Sequence, residues 1–205
     1  MLTNLDRIRA ADAQAVRYSV ELVNKVKPND LGRPTPCADW TLADLLAHMT
    51  AQHRGFAAAA GGEGEGEEAW RVVPAGVEAV ARYTAASELV VGAFAAVDSA
   101  ERRFALPEIG PGLTFPAATA LSFHFIDYVV HGRDVARSLG LPYAPGPGLL
   151  EAALPVALAV PDGDERLAPG AAFRPGLEPV DGTSPLDRIL SALGRSPNWR
   201  AEQWS

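Results

Sequence analysis

"PAATALSFHFIDYVVHGRDVARSLG", residues 116–140, decides how this chain folds. Pro116 suits a first helical turn, where its missing N–H would have had no partner, and Gly140 followed by Pro142 stops the run. Leu121, Phe125, Tyr128, Val135 and Leu139 recur at helical spacing, and Phe123, Ile126 and Val130 widen the stripe until most of the circumference is apolar. Such a helix lies inside a protein, so other helices must surround it. Three further runs supply them. The first starts at Asn4 and carries Leu5, Ile8, Val16, Leu22 and Val26. The second starts at Thr41, where "TLAD" offers a hydroxyl cap and an acid three residues on, and continues through Leu42, Leu45, Leu46, Met49 and Phe56 to Gly61 and Gly62. A third, from Val77 to Val97, precedes a turn through Pro107, Gly110, Pro111 and Gly112. With no convincing alternating strand pattern, the expectation is an all-α protein built as a four-helix bundle over residues 1–142. Residues 143–205 are then a short, mostly irregular extension packed on the bundle, one structural domain in all, with a helix interrupted by Pro155 and a final one in "SPLDRILSALGR", 184–195.

Composition bounds the partners. A chain of 205 residues that is 48% hydrophobic and 21% charged is an ordinary globular protein. Its net charge of −7 would be repelled by nucleic acid and by an anionic membrane, which leaves small molecules as the expected ligands. No apolar run approaches the roughly 20 residues needed to cross a bilayer. Cys37 is the single cysteine, so no internal disulfide forms, and the expected compartment is the cytoplasm. The acidic run "GGEGEGEE", 61–68, reads as a solvated connector rather than a lid.

The apolar helix carries His124, Asp127 and His131, three and four residues apart and therefore on one face. A carboxylate taken out of water costs several kcal/mol unless it is paired or bound to a cation. Two imidazoles and a carboxylate form a donor set for Zn2+, and Ni2+, Fe2+ or Mn2+ can use the same set. One helix gives two such ligands, and the third can come from His48 or His53 on the second helix. The helical wheel favours His53, which falls in the middle of the apolar stripe. The plain alternative is an Asp–His pair with no metal.

Three blocks, "PTPCADWTLADLLAHM" at 34–49, "DYVVHGRDVARSLG" at 127–140 and "SPLDRILSALGRSPNW" at 184–199, resemble the DinB-like metal-binding proteins related to the N-terminal domain of mycothiol-dependent maleylpyruvate isomerase. The resemblance implies a DinB-like four-helix bundle and assigns the metal ligands to His48, Asp127 and His131, overriding the wheel at His53. It further implies a divalent metal, zinc first, with mycothiol as cosubstrate. The implied activity is isomerisation or S-transfer on a small electrophile, by a monomer or homodimer. A non-catalytic metal-binding bundle, serving as sensor, carrier or stress protein, is the second reading. Iron and oxygen chemistry on the same ligands is the third. Two positions depart from the family pattern. An Asp stands where the isomerase has a Glu, and Arg133 stands where an aromatic residue is common. Arg133 is either a surface residue paired with Asp134 or an anchor for a substrate or cofactor carboxylate. Cys37, with no basic neighbour in sequence, reads as a small packed residue rather than a nucleophile. Trp40 is expected to plug the helix start, His124 to be half-buried with one backbone partner, and the closing "GRSPNW" to pack against the bundle.

Overall fold

The computed structural model describes residues 4–37, 39–168, 171–178 and 183–201, so the last four residues of the expected extension lie outside it. Four long helices, α1 (Asn4–Val23), α2 (Leu42–Gly61), α4 (Ala79–Ala95) and α5 (Ala117–Ser138), form the bundle, with one helical turn, α3 (Glu67–Trp70), between the second and third. α1 packs mainly on α5 and α2 on α4, and the α1–α4 and α2–α5 contacts close the ring. The apolar α5 lies inside, with Leu121, Phe125, Tyr128, Val129 and Val135 at most 1% exposed. Burying each such side chain stabilises the bundle by about 1.5–3 kcal/mol.

Local signals set the helix ends. Thr41 accepts a hydrogen bond from the Asp44 backbone N–H at 3.3 Å while Asp44 accepts one from the Thr41 N–H at 3.0 Å, the capping box read from "TLAD". Gly62 closes α2 with φ of 93°, a left-handed value that a residue with a Cβ resists. The acidic run beyond it is more anchored than a solvated connector. Its glutamates are exposed, but Gly64 is buried against the Ala105 carbonyl and Trp70 Nε1 donates to the Gly64 carbonyl at 2.8 Å.

Between α4 and α5 the chain forms a small hairpin, β1 (Arg103–Ala105) paired antiparallel with β2 (Thr114–Pro116), which the sequence reading lacked. Each strand spans only three residues and Phe104 is the one fully buried, so no alternation could develop. Phe104 and Leu106 seat the hairpin in a core cluster with Phe56, Phe94 and Leu121. After the bundle, α6 (Pro147–Leu158), with Pro155 inside it, and α7 (Pro185–Ala192) place Leu149, Ala153, Ile189 and Leu190 in the same core cluster as Leu45, Met49 and Tyr128. No helix among the described residues is long and apolar enough to cross a membrane.

Candidate metal centre

α2 and α5 bring His48, Asp127 and His131 together. One ligand atom from each lies within 4.8 Å of the others. His131 Nε2 is 3.2 Å from Asp127 Oδ1, and the His48 and His131 rings meet edge to face with centroids 5.3 Å apart. The electrostatics leave His48 a free lone pair, because burial, followed by the neighbouring His131, lowers its pKa to about 4. Burial opposes ionisation of Asp127, but the charge and hydrogen bond of His131 outweigh it and hold the carboxyl at about 2. Burial likewise opposes protonation of His131, and Asp127 and Asp134 together outweigh it, raising that imidazole well above its usual value. The donor set of two imidazoles and one carboxylate, drawn from two helices, fits a divalent cation with coordination positions to spare.

Behind His131 stands a second buried group. Asp134 Oδ2 lies 3.4 Å from His131 Nδ1, accepts from Cys37 Sγ at 3.2 Å and pairs with Arg195 Nε at 3.3 Å. Cys37, His131 and Asp134 also satisfy the spacing of a metal group, but the Arg195 guanidinium, 3.6 Å from Cys37 Sγ, already supplies the cation there. The group therefore orients His131 and presents its Nε2 to the first cluster. Cys37 is buried in the described part of its loop, as a packed residue should be, yet it has the basic neighbours in space that it lacks in sequence. Arg195, in the segment that approaches from the C-terminal side, carried no signal beyond its place in "GRSPNW".

Arg133 corrects its surface reading. It is 1% exposed, and its guanidinium donates to the carbonyls of Ser196 at 2.7 Å and Pro197 at 3.0 Å while lying 3.4 Å from Asp134. Those donors tie the tail to α5, which accounts for the packing expected of "GRSPNW".

His124 also corrects its expected surroundings. It is fully buried, with Nδ1 2.6 Å from Asp12 on α1 and Nε2 3.1 Å from His53 Nδ1 on α2. His53 stacks on Tyr128 with centroids 4.1 Å apart, and its Nε2 has no hydrogen-bond partner among the described residues. Burial first, then His124, lowers the His53 pKa well below its usual value. The polar stripe of α5 thus serves two clusters. Asp127 and His131 meet His48, and His124 meets Asp12 and His53 deeper in the bundle.

Trp40 is no plug. It is 38% exposed, and its ring lies 4.9 Å from that of His48, as a partial cover beside the site. One turn beyond His48, Gln52 Nε2 donates at 2.6 Å to Glu108 of the hairpin loop. Burial, followed by the field of Asp127 acting with it against the Gln52 bond, raises the Glu108 pKa to about 7.

An uncharacterized protein of Mycobacterium tuberculosis, found in two strains, is 29% identical over 195 residues, covering 92% of this chain and 94% of the relative. The crystal structure of a mycothiol-dependent maleylpyruvate isomerase superposes with a TM-score of 0.57 at 16% identity, over 78% of this chain and 71% of the enzyme. A variant of that enzyme with one His replaced by Ala gives 0.59 at 15% identity over the same shares. Those likenesses establish the DinB-like helical fold. The family model described as the mycothiol maleylpyruvate isomerase N-terminal domain matches residues 13–136, a span that includes His48, Asp127 and His131, and the chain belongs to that family.

Proposed function

We propose that this protein is a metal-dependent enzyme, with zinc as the leading ion, that uses a low-molecular-weight thiol such as mycothiol either to isomerise a small electrophile or to transfer the thiol to it. One observation carries the reading, the convergence of His48, Asp127 and His131 from two helices within 4.8 Å. The family relationship supports the thiol, since the relative of known structure is a mycothiol-dependent isomerase. A divalent ion held by these residues would bring a bound thiol, with an ordinary pKa of about 8.5, to its thiolate at neutral pH.

The chain's own residues prepare that chemistry. Asp134 and Arg195 fix the His131 ring, so that its Nε2 faces Asp127 and His48. Trp40 packs its ring against one side of His48. Asp127, whose side chain is 23% exposed, marks the side on which ligands enter. The thiolate adds to a conjugated double bond, and the resulting single bond allows rotation. Expulsion of the thiolate gives the isomer, whereas retention of the adduct is S-transfer. Such a protein works in the cytoplasm, where the reduced thiol is at hand, as a monomer or homodimer.

Metal analysis of tag-free protein, with His48→Ala and His131→Ala beside it, tests the metal half. About one zinc per wild-type chain and a marked loss in both variants are expected. At zinc one hundred times above Kd, wild-type stability should rise by about 2.7 kcal/mol. Incubation with mycothiol and either maleylpyruvate or a panel of electrophiles tests the rest. Metal bound without thiol-dependent conversion would leave a non-catalytic metal-binding bundle.

A further inference from the structure

A thiol addition needs a group that moves a proton on and off the substrate carbon, and few side chains near the cluster are free to do so. Asp127, His131 and His48 are committed to the ligand cluster. His53 and His124 are sealed in the core at 0% exposure, as is Tyr83, and Tyr128 is 1% exposed, so none of them reaches a substrate. Arg133 and Arg195 are held by Asp134 and by tail carbonyls. Glu108 remains. The residue as a whole is exposed, but its carboxyl end is desolvated against the bundle and fixed by the 2.6 Å bond from Gln52, a residue only 8% exposed. Gln52 follows His48 by one turn on the same face of α2. The hairpin loop that presents Glu108 is tied down by its own backbone hydrogen bonds. Leu106 is fully buried, its N–H donates to the Leu113 carbonyl, and the Ile109 and Gly110 N–H groups donate to the Leu106 carbonyl.

We propose that Glu108, held by Gln52, is the acid–base residue of this site, exchanging a proton with the α-carbon of a conjugated carbonyl substrate. This rests on the thiol-dependent reading above. As the thiolate sulfur bonds to the β-carbon, the π pair shifts to the α-carbon and carbonyl. The carboxylic acid of Glu108 then gives its proton to the α-carbon, and the resulting carboxylate accepts from Gln52 Nε2. In isomerisation, Glu108 takes that proton back as the C–S bond breaks and the double bond re-forms. In transfer, the adduct leaves protonated and the next thiol restores the acid. A carboxyl poised near neutrality can act in both directions. Desolvation of the carboxyl keeps the proton on, against the pull of the Gln52 hydrogen bond.

Glu108→Gln, Glu108→Asp and Gln52→Leu test the assignment in the full-length, metal-loaded protein with mycothiol and maleylpyruvate. Glu108→Gln should retain its metal and its calorimetric affinity for mycothiol while kcat falls about 10²–10⁴-fold, with Glu108→Asp recovering part of the loss. Carbon NMR of glutamate-labelled protein supplies a readout independent of turnover. One carboxyl titrates near neutrality in the wild type, is absent in Glu108→Gln, and moves to higher pH in Gln52→Leu. An active wild type whose Glu108→Gln variant keeps its kcat within twofold, or a wild type with no such carboxyl, overturns the role of Glu108 alone. A wild type that binds metal and mycothiol but converts no electrophile overturns the functional reading, and this role with it.

Discussion

Asp134 stands 3.4 Å from Nδ1 of His131, on the edge of the imidazole opposite Asp127. An imidazole held in this way cannot rotate, and a carboxylate partner at Nδ1 makes the opposite ring nitrogen more basic. Asp134→Asn keeps the shape and removes the charge, which leaves Arg195 and Arg133 buried beside a neutral amide. Zinc affinity, measured by competition with a chromophoric chelator, should fall about 10–100-fold. The metal-free protein should also lose about 3 kcal/mol of unfolding free energy, because buried cations are left without their counter-charge. Unchanged zinc affinity would show that Asp134 serves the Arg residues only.

Packing and helix propensity make opposite predictions at Gly55. Propensity favours alanine in mid-helix by about 0.5–1 kcal/mol. A Cβ there would sit 2.2 Å from Cε3 and 2.3 Å from Cδ2 of Trp70, whose ring also packs on Phe56 and whose Nε1 donates to Gly64. The clash should win, so Gly55→Ala is expected to lower stability by about 1–3 kcal/mol in urea unfolding. In a Trp70→Ala background the sign should reverse, since only the propensity gain then remains. A stabilising Gly55→Ala in the wild-type background would contradict this packing.

Which parts of this were legible in the sequence follows from the range of each interaction. The Thr41 cap and the pairing of Asp127 with His131 are local, so spacing alone exposed them. The helical wheel reports which face of α2 is buried but not what stands opposite, and it therefore favoured His53, which meets His124 in the core. Only family resemblance pointed to His48. Asp12 is 112 residues from His124 and Arg195 is 61 from Asp134, and such pairs exist only once the helices pack. Arg133 looked like a surface residue because the tail that buries it returns from more than 60 residues away.

Acid should weaken the bundle through His53. Its folded pKa lies well below the unfolded value of 6.5, so the unfolded chain binds a proton there that the folded chain refuses. The stability contributed by neutral His53 is complete above about pH 6.5 and is lost as pH falls below it, by up to about 1.4 kcal/mol per pH unit. His53→Phe retains an aromatic ring against Tyr128 and has no proton to bind. Urea titrations between pH 7 and 5 should give a slope for this variant that is shallower by up to one proton, whatever its stability at pH 7. Parallel slopes for the two proteins would mean that His53 is protonated in the folded state.

Arg133 joins α5 to the tail. Its Nη2 donates to two carbonyls, Ser196 and Pro197, and its Nη1 lies beside Asp134. Arg133→Met preserves the length of the side chain and removes all three contacts. Asp134 still has Arg195, so the orientation of His131 and the metal content should persist. The Ser196 carbonyl loses its donor and the Pro197 carbonyl keeps only the 3.4 Å bond from Arg137, so stability should fall by about 1–3 kcal/mol. Opening of the tail should be local, which limited proteolysis can follow as faster cleavage around Asn198 while the bundle stays intact. Equal cleavage rates in variant and wild type would show that the tail is held by its other packing and not by Arg133. A loss of metal in the same variant would show instead that Arg133 is needed to hold Asp134 against His131.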